Sequence, residues 1–221
     1  MVFVFVFSFV LTSVFLLSYH HFAHHRHPTK MLSFSAGMLV FIIFLDILPK
    51  IFVFGTSFHS SEYLSSLLLL GFLFYHILDI YLHRKIRQRK ELIYRELHSF
   101  GFFVDNFIKG FMLVIFFSLF DNLLIAFIPI VLVAAAAGMS FAQCTKSKFS
   151  SLFVVFTSLF YLFGTVFALI LEESAIHAAL PFISGAFMYF VLRDEFPKEQ
   201  SEEVLYFILG IAFMFSYNIL T

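Results

Sequence analysis

Apolar stretches of about 18–22 residues alternate with short polar breaks along the whole chain, the length a helix needs to cross hydrocarbon. Eight such spans are read, at roughly 2–19, 31–50, 63–82, 97–118, 122–138, 150–171, 176–193 and 203–220. Runs such as Leu67-Leu-Leu-Leu70 do not alternate polar with apolar positions, so a β-barrel is excluded and helices are expected. The pattern predicts an all-α integral membrane protein of eight transmembrane helices, with residues 1–221 forming one polytopic domain. The first apolar run follows Met1 without a basic region or a cleavage site, so it is read as a retained span.

Two of the spans carry the same polar positions. Phe34-Ser-Ala-Gly37, Asp46 and Pro49-Lys50 recur as Phe182-Ile-Ser-Gly185, Asp194 and Pro197-Lys198, with the constant offset that separates Gly37 from Gly185. Basic residues set the orientation. Arg26, Lys30, Arg84, Lys85, Arg87, Arg89, Lys90, Arg95, Lys146, Lys148, Arg193 and Lys198 all fall in alternate loops, which makes those loops cytoplasmic and puts both termini on the non-cytoplasmic side. Spans two and seven then run in opposite directions. The expected architecture is 3+2+3, with spans 1–3 and 6–8 as an inverted repeat and a substrate site near the midplane.

Composition agrees and narrows the classes. The chain is 61% hydrophobic and 13% charged, with a mean hydropathy of +0.97, so the lipid bilayer is its expected partner. Net charge is zero, which leaves no case for nucleic acid. The single cysteine, Cys144, excludes an intramolecular disulfide and a multi-cysteine metal site. No glycine-rich phosphate loop, Gly-x-Ser-x-Gly or His-Glu-x-x-His is present, so no enzyme is expected.

Ionisable groups inside a span are costly and therefore informative. Asp105 and Lys109 in span four are four residues apart, on one helix face and within reach of each other, with Asn106 beside them. Either a structural ion pair or a polar centre lining a pathway accounts for them. Asp46 and Asp194 sit about one turn from the ends of their spans, as carboxylates at two mouths or as interfacial acids beside Lys50 and Lys198. Asp46, Asp105, Asn106, Lys109 and Asp194 are the candidate pathway residues. His76 and Asp79, three apart in span three, are a weak metal pair, more readily a hydrogen-bonded pair at the interface. His20, His21, His24, His25 and His27 crowd one loop and are a weak metal-capturing cluster.

The chain resembles the ZIP (Zrt/Irt-like) divalent metal transporters. The resemblance rests on Ser35-Ala-Gly37 through Asp46-Ile-Leu-Pro49 and on Ser184-Gly-Ala-Phe-Met-Tyr189 through Asp194-Glu-Phe-Pro197. It implies eight spans in a 3+2+3 arrangement, transport of a divalent cation such as zinc as substrate, and no further cofactor; a homodimer stays open. The family's metal-binding His-Asn-x-x-acid-Gly motif of span four corresponds to Asp105-Asn106-Phe107-Ile108-Lys109-Gly110. Asp stands for its His, and Lys for its acid. His98 offers a second register. Ala126-Phe127-Ile128-Pro129 keeps the family's proline of span five without its ligands, and the acid of span six falls near Tyr161. The resemblance therefore implies a diverged member lacking most core metal ligands, with an ammonium where a cation would bind. A non-transporting protein of the same fold and a proton pathway through the Asp105–Lys109 pair are the alternatives.

Overall fold

The structure is a computed structural model that describes residues 2–21, 28–55, 60–87, 91–119, 123–145, 151–171, 173–195 and 201–220. Each of the eight apolar stretches forms a helix. These are α1 (Val2–His21), α2 (28–55), α3 (Ser61–Arg87), α4 (Glu91–Leu119), α5 (Leu123–Thr145), α6 (Ser151–Ile170), α7 (173–195) and α8 (Ser201–Leu220). Among the described residues there is no strand. Among the described residues, four helices are long and apolar enough to cross a bilayer, over Phe3–His21, Thr29–Val53, Ser61–Tyr81 and Ser151–Ile170.

Local chemistry explains several boundaries. Pro28 opens α2, where its missing N–H leaves nothing unsatisfied and its fixed φ suits the first turn. Ser60 caps α3, its Oγ accepting from the Tyr63 N–H at 3.4 Å. Hydroxyls inside the helices donate back to carbonyls of the preceding turn, as Ser35 does to Met31 at 2.9 Å.

Polarity is arranged inside out relative to a water-soluble protein. Leu69, Leu70, Phe74 and Ile77 of α3 and Leu205, Ile208, Phe213 and Phe215 of α8 point outward and are exposed. The buried polar residues, among them Ser8, Thr12, Asn106, Lys109, Thr157, Ser158 and Thr165, lie inside. An apolar exterior on this scale suits hydrocarbon and not water.

The helices pack in four close pairs: α1 with α5, α2 with α8, α3 with α7, and α4 with α6. In a bilayer no hydrophobic force draws helices together, so small residues that let backbones approach are needed. Glycine supplies them. A Cβ on Gly37 would strike the Phe207 carbonyl, and one on Gly210 the Phe34 carbonyl. The same reciprocal contact joins Gly71 and Phe182 with Gly185 and Leu68, and Gly110 and Tyr161 with Gly164 and Phe107. In the fourth pair Gly138 of α5 meets the Phe15 carbonyl and Ser18 of α1.

Contacts along each pair run in the same chain direction. Phe7 meets Phe127 and Tyr19 meets Phe141; the Lys30 ammonium lies over Tyr206 and Phe41 meets Phe215. Phe74 meets Phe182 and Asp79 meets Arg193; Phe103 meets Phe153 and Phe111 meets Phe167. All four pairs are therefore parallel. α2 and α7 cross the other way. Pro28–Phe41 packs on the end of α7, while Glu173–Phe190 packs on the later part of α2.

Candidate functional site

Neither α2 nor α7 is a plain α-helix. In α2 the α-helical Pro28–Phe41 widens into a π turn, Ile42–Ile47, and resumes as Leu48–Gly55. The backbone stays right-handed throughout, with Leu48 N–H bonded five residues back to the Ile43 carbonyl. In α7, Glu173–Phe190 runs into a second π turn, Val191–Glu195. Asp46 and Asp194 thus occupy matching positions in two π turns. Proline gives the physical cause in α2: Pro49 lacks an N–H and would press on the carbonyl four residues back, and a widened turn relieves both. Pro197 stands at the same spacing from Asp194 but lies outside the described residues, as does Lys198.

The π turn also changes the expected end of span two. The helix does not stop at Pro49-Lys50 but continues to Gly55, so Asp46 lies more than two turns from the end of α2. Asp46 is half-buried; α7 is described at Asp194 only along its backbone. Because α2 and α7 are antiparallel, the two acids sit at opposite ends of that helix pair.

The centre of the molecule holds the ion pair. Lys109 Nζ donates to Asp105 Oδ2 at 2.8 Å, with Lys109 1% and Asp105 8% exposed. The spacing of four places both on one face of α4. Asn106, fully buried, donates through Nδ2 to the Thr157 carbonyl at 3.1 Å. A seam of buried hydroxyls from α1 and α6 meets α4 at the Gly110 carbonyl. Thr165 Oγ1 lies 3.0 Å from the Gly110 carbonyl, 2.9 Å from the Tyr161 carbonyl and 3.0 Å from Ser8 Oγ. Thr12 Oγ1 lies 3.0 Å from the Ser8 carbonyl and 3.3 Å from that of Ser158. Tyr161 is fully buried in the same seam.

Donors and acceptors do not balance here. Asp105 Oδ1 and Asn106 Oδ1 are buried and accept no hydrogen bond from any described residue; Ser184 Oγ beside Gly185 is likewise unpartnered. An unmade bond at a buried acceptor costs about 1–3 kcal/mol, more for a charged group. Buried acceptors of this kind call for an explanation in strain, bound water or chemistry.

Other sequence candidates are dispersed. Asp79 reaches across to another helix: its Oδ1 takes Arg193 Nη2 at 2.8 Å, tying α3 to the π turn of α7. His76 is exposed and stacks on Phe72, with Tyr189 across it. Both ion-pair side chains remain partly exposed, 24% and 21%. Asp79→Asn should therefore lower stability by no more than about 1 kcal/mol, read as a small shift in thermal unfolding. His20 and His21 end α1, exposed, with His20 edge-on to Tyr19. His24, His25 and His27 lie outside the described residues. Among the described residues no three His, Cys, Asp or Glu side chains form a metal-holding group.

The hydroxyls Ser8, Thr12, Thr157, Ser158 and Thr165 are members of the centre that sequence reading passed over. Their signal was periodicity: Ser8 and Thr12, and Thr157, Tyr161 and Thr165, recur every four residues on single helix faces. No family model matches the chain, no curated protein matches it, and no solved structure matches it.

Proposed function

We propose that the chain is a ZIP-like membrane transport protein of eight crossings, arranged 3+2+3, with both termini on the non-cytoplasmic side. It carries a cation along a path lined by Asp46, Asp105, Asn106, Lys109 and Asp194. The observation that carries the proposal is the buried Asp105–Lys109 pair with unpartnered acceptors beside it, near the middle of α4.

Packing register supports the inverted repeat. Moving from Gly37 to Gly185 and from Phe207 to Leu68 carries one collision onto the other; the same shifts carry Phe34 onto Phe182 and Gly210 onto Gly71. Four contacts thus fit one pairing of α2 with α7 and α8 with α3. Gly110 and Tyr161 correspond in the same way to Gly138 and Phe15, which pairs α4 with α5 and α6 with α1. On that register Asp105, Asn106 and Lys109 correspond to Val133, Ala134 and Ala137, so only one half of the centre is polar. Crossing number supports the topology: the members of every parallel pair are an even number of helices apart, as alternating passages require. In this topology Cys144 lies at the cytoplasmic end of α5. A membrane-impermeant maleimide should label it in inside-out vesicles and spare it in right-side-out ones.

Transport is tested by reconstituting the full chain in vesicles and following Zn2+, Fe2+, Mn2+ and H+ in parallel. Wild type should carry at least one of them, and Asp105→Asn should reduce that flux to the protein-free rate. Flux that survives Asp105→Asn rules out a path through this centre. A second reading, a non-transporting protein of the same fold, is favoured by one observation: the Lys109 ammonium already neutralises Asp105 from within.

A further inference from the structure

Where α2 and α8 begin, the two helices leave a groove of about 370 Å³ between them, lined by Lys30, Met31 and Phe34 of α2 and by Tyr206 and Leu209 of α8. Gly210 rests on the Phe34 carbonyl, so the groove lies where the two backbones come close. Its lining is apolar except at Lys30 and Tyr206, side chains with an apolar body and a polar tip. The Lys30 ammonium stands 5.5 Å from the centre of the Tyr206 ring. Leu209, with Leu205 and Ile208 beside it, is exposed, so the groove opens on the apolar exterior.

The repeat register supplies a comparison. Lys30, Met31 and Phe34 correspond to Ala178, Ala179 and Phe182, and Tyr206 and Leu209 correspond to Leu67 and Leu70. The α3–α7 pair makes the same glycine contacts with neither a cation nor a phenol at those places. Helix packing therefore does not account for Lys30 and Tyr206. Lys30 is in the first turn of α2, whereas Phe34 and Leu209 lie further along their helices. An occupant must be apolar along its length and anionic at the Lys30 end. An ammonium has three N–H donors, so a contact elsewhere does not preclude this one. Glu203 is half-buried one turn before Tyr206, on the same face of α8, and offers a carboxylate beside the cation.

Resting on the reading that α2 and α8 start at the cytoplasmic side of a bilayer, we infer that this groove holds a phosphatidylethanolamine of the cytoplasmic leaflet. One acyl chain lies along Met31, Phe34 and Leu209. The phosphate meets the Lys30 ammonium and the Tyr206 hydroxyl, and the ammonium of the head meets Glu203. Two carbons separate phosphate from ammonium in this head, comparable to the ~4.5 Å rise along α8 from Glu203 to Tyr206. Other amphiphiles fit less well. Phosphatidylglycerol brings no ammonium to Glu203, choline has no N–H to donate, and diacylglycerol has no phosphate for Lys30.

The chain has no tryptophan, so Leu209→Trp puts a single emitter in the groove and Leu70→Trp one at the matching place in the other half. Each full-length variant is reconstituted in phosphatidylcholine vesicles that carry a small fraction of a lipid brominated on its acyl chains, which quenches on contact. Brominated phosphatidylethanolamine should quench the Leu209→Trp variant several-fold more than its mole fraction predicts, and the Leu70→Trp variant only in proportion to it. Lys30→Gln or Glu203→Gln, added to Leu209→Trp, should each bring quenching down to the mole fraction. Proportional quenching of the Leu209→Trp variant itself would overturn the site. Equal enrichment of brominated phosphatidylglycerol or brominated diacylglycerol would overturn the assignment of the head group. In vesicles made wholly of brominated phosphatidylcholine every variant should be quenched alike, which separates lipid selection from misfolding. Emitters that escape quenching there would overturn the bilayer reading itself.

Discussion

Lys109→Met should be among the most damaging single substitutions in the chain, lowering stability by about 3–5 kcal/mol. It strands the Asp105 carboxylate, 8% exposed, with neither water nor a cation. Asp105→Leu alone should also destabilise, because it removes the carboxylate 2.8 Å from the ammonium. The double variant Asp105→Leu/Lys109→Met removes both charges, and it should unfold at or above the wild-type temperature, because two apolar side chains need no mutual compensation. Replacing a buried ion pair by apolar side chains ranges from neutral to about 1–4 kcal/mol of gain. Thermal unfolding of the purified protein in detergent reads all three. If the double variant is as unstable as the singles, the pair does more than neutralise itself. The same double variant is a useful control in vesicles, since it should be folded and without flux.

The glycine contacts carry the second large effect. Gly37→Ala places a methyl group against the Phe207 carbonyl, and Gly185→Ala places one against that of Leu68. Backbone cannot rotate away as a side chain can, so each should cost about 1–3 kcal/mol or more by forcing the helices apart. The two losses should match closely, because the contacts are geometrically the same. Gly37→Ala with Gly210→Ala should be much less than additive: once the first methyl has separated α2 from α8, the second finds room. Gly101 is the opposite case. Nothing lies within 4 Å of a Cβ there, so Gly101→Ala should raise stability by up to about 1 kcal/mol through helix propensity alone.

These effects separate what sequence patterns can reveal from what they cannot. The eight helices were legible, because a bilayer-length apolar run has few other fates. The helices extend past the apolar runs at several ends, as α3 does to Arg87 and α5 to Thr145, since polar residues continue a helix without contributing to the hydrophobic signal. The Asp105–Lys109 contact was legible too, because a fixed spacing on one helix is a local property. Partners across helices were not. Asp79 read as a companion of His76, yet its 2.8 Å contact is with Arg193, more than a hundred residues away, which no spacing within α3 could announce. The π turns were half legible. Asp46-x-x-Pro49 is visible and proline disturbs the turn before it, but continuation of α2 to Gly55, where it packs on α3 and α7, has no local signal.

The order of synthesis gives the four parallel pairs one more consequence. The chain leaves the ribosome from its N-terminus, so each glycine contact must wait for the later of its two helices. α1 can close on α5 first, α4 on α6 next, then α3 on α7, and α2 only when α8 has been made. Gly37 and Phe34 therefore keep an unmatched face through almost the whole of biogenesis, and that face is lined by small residues and aromatic rings. A chain ending after α7 would hold three finished joints and one open one, and quality control that inspects helix packing inside the membrane would find it at α2.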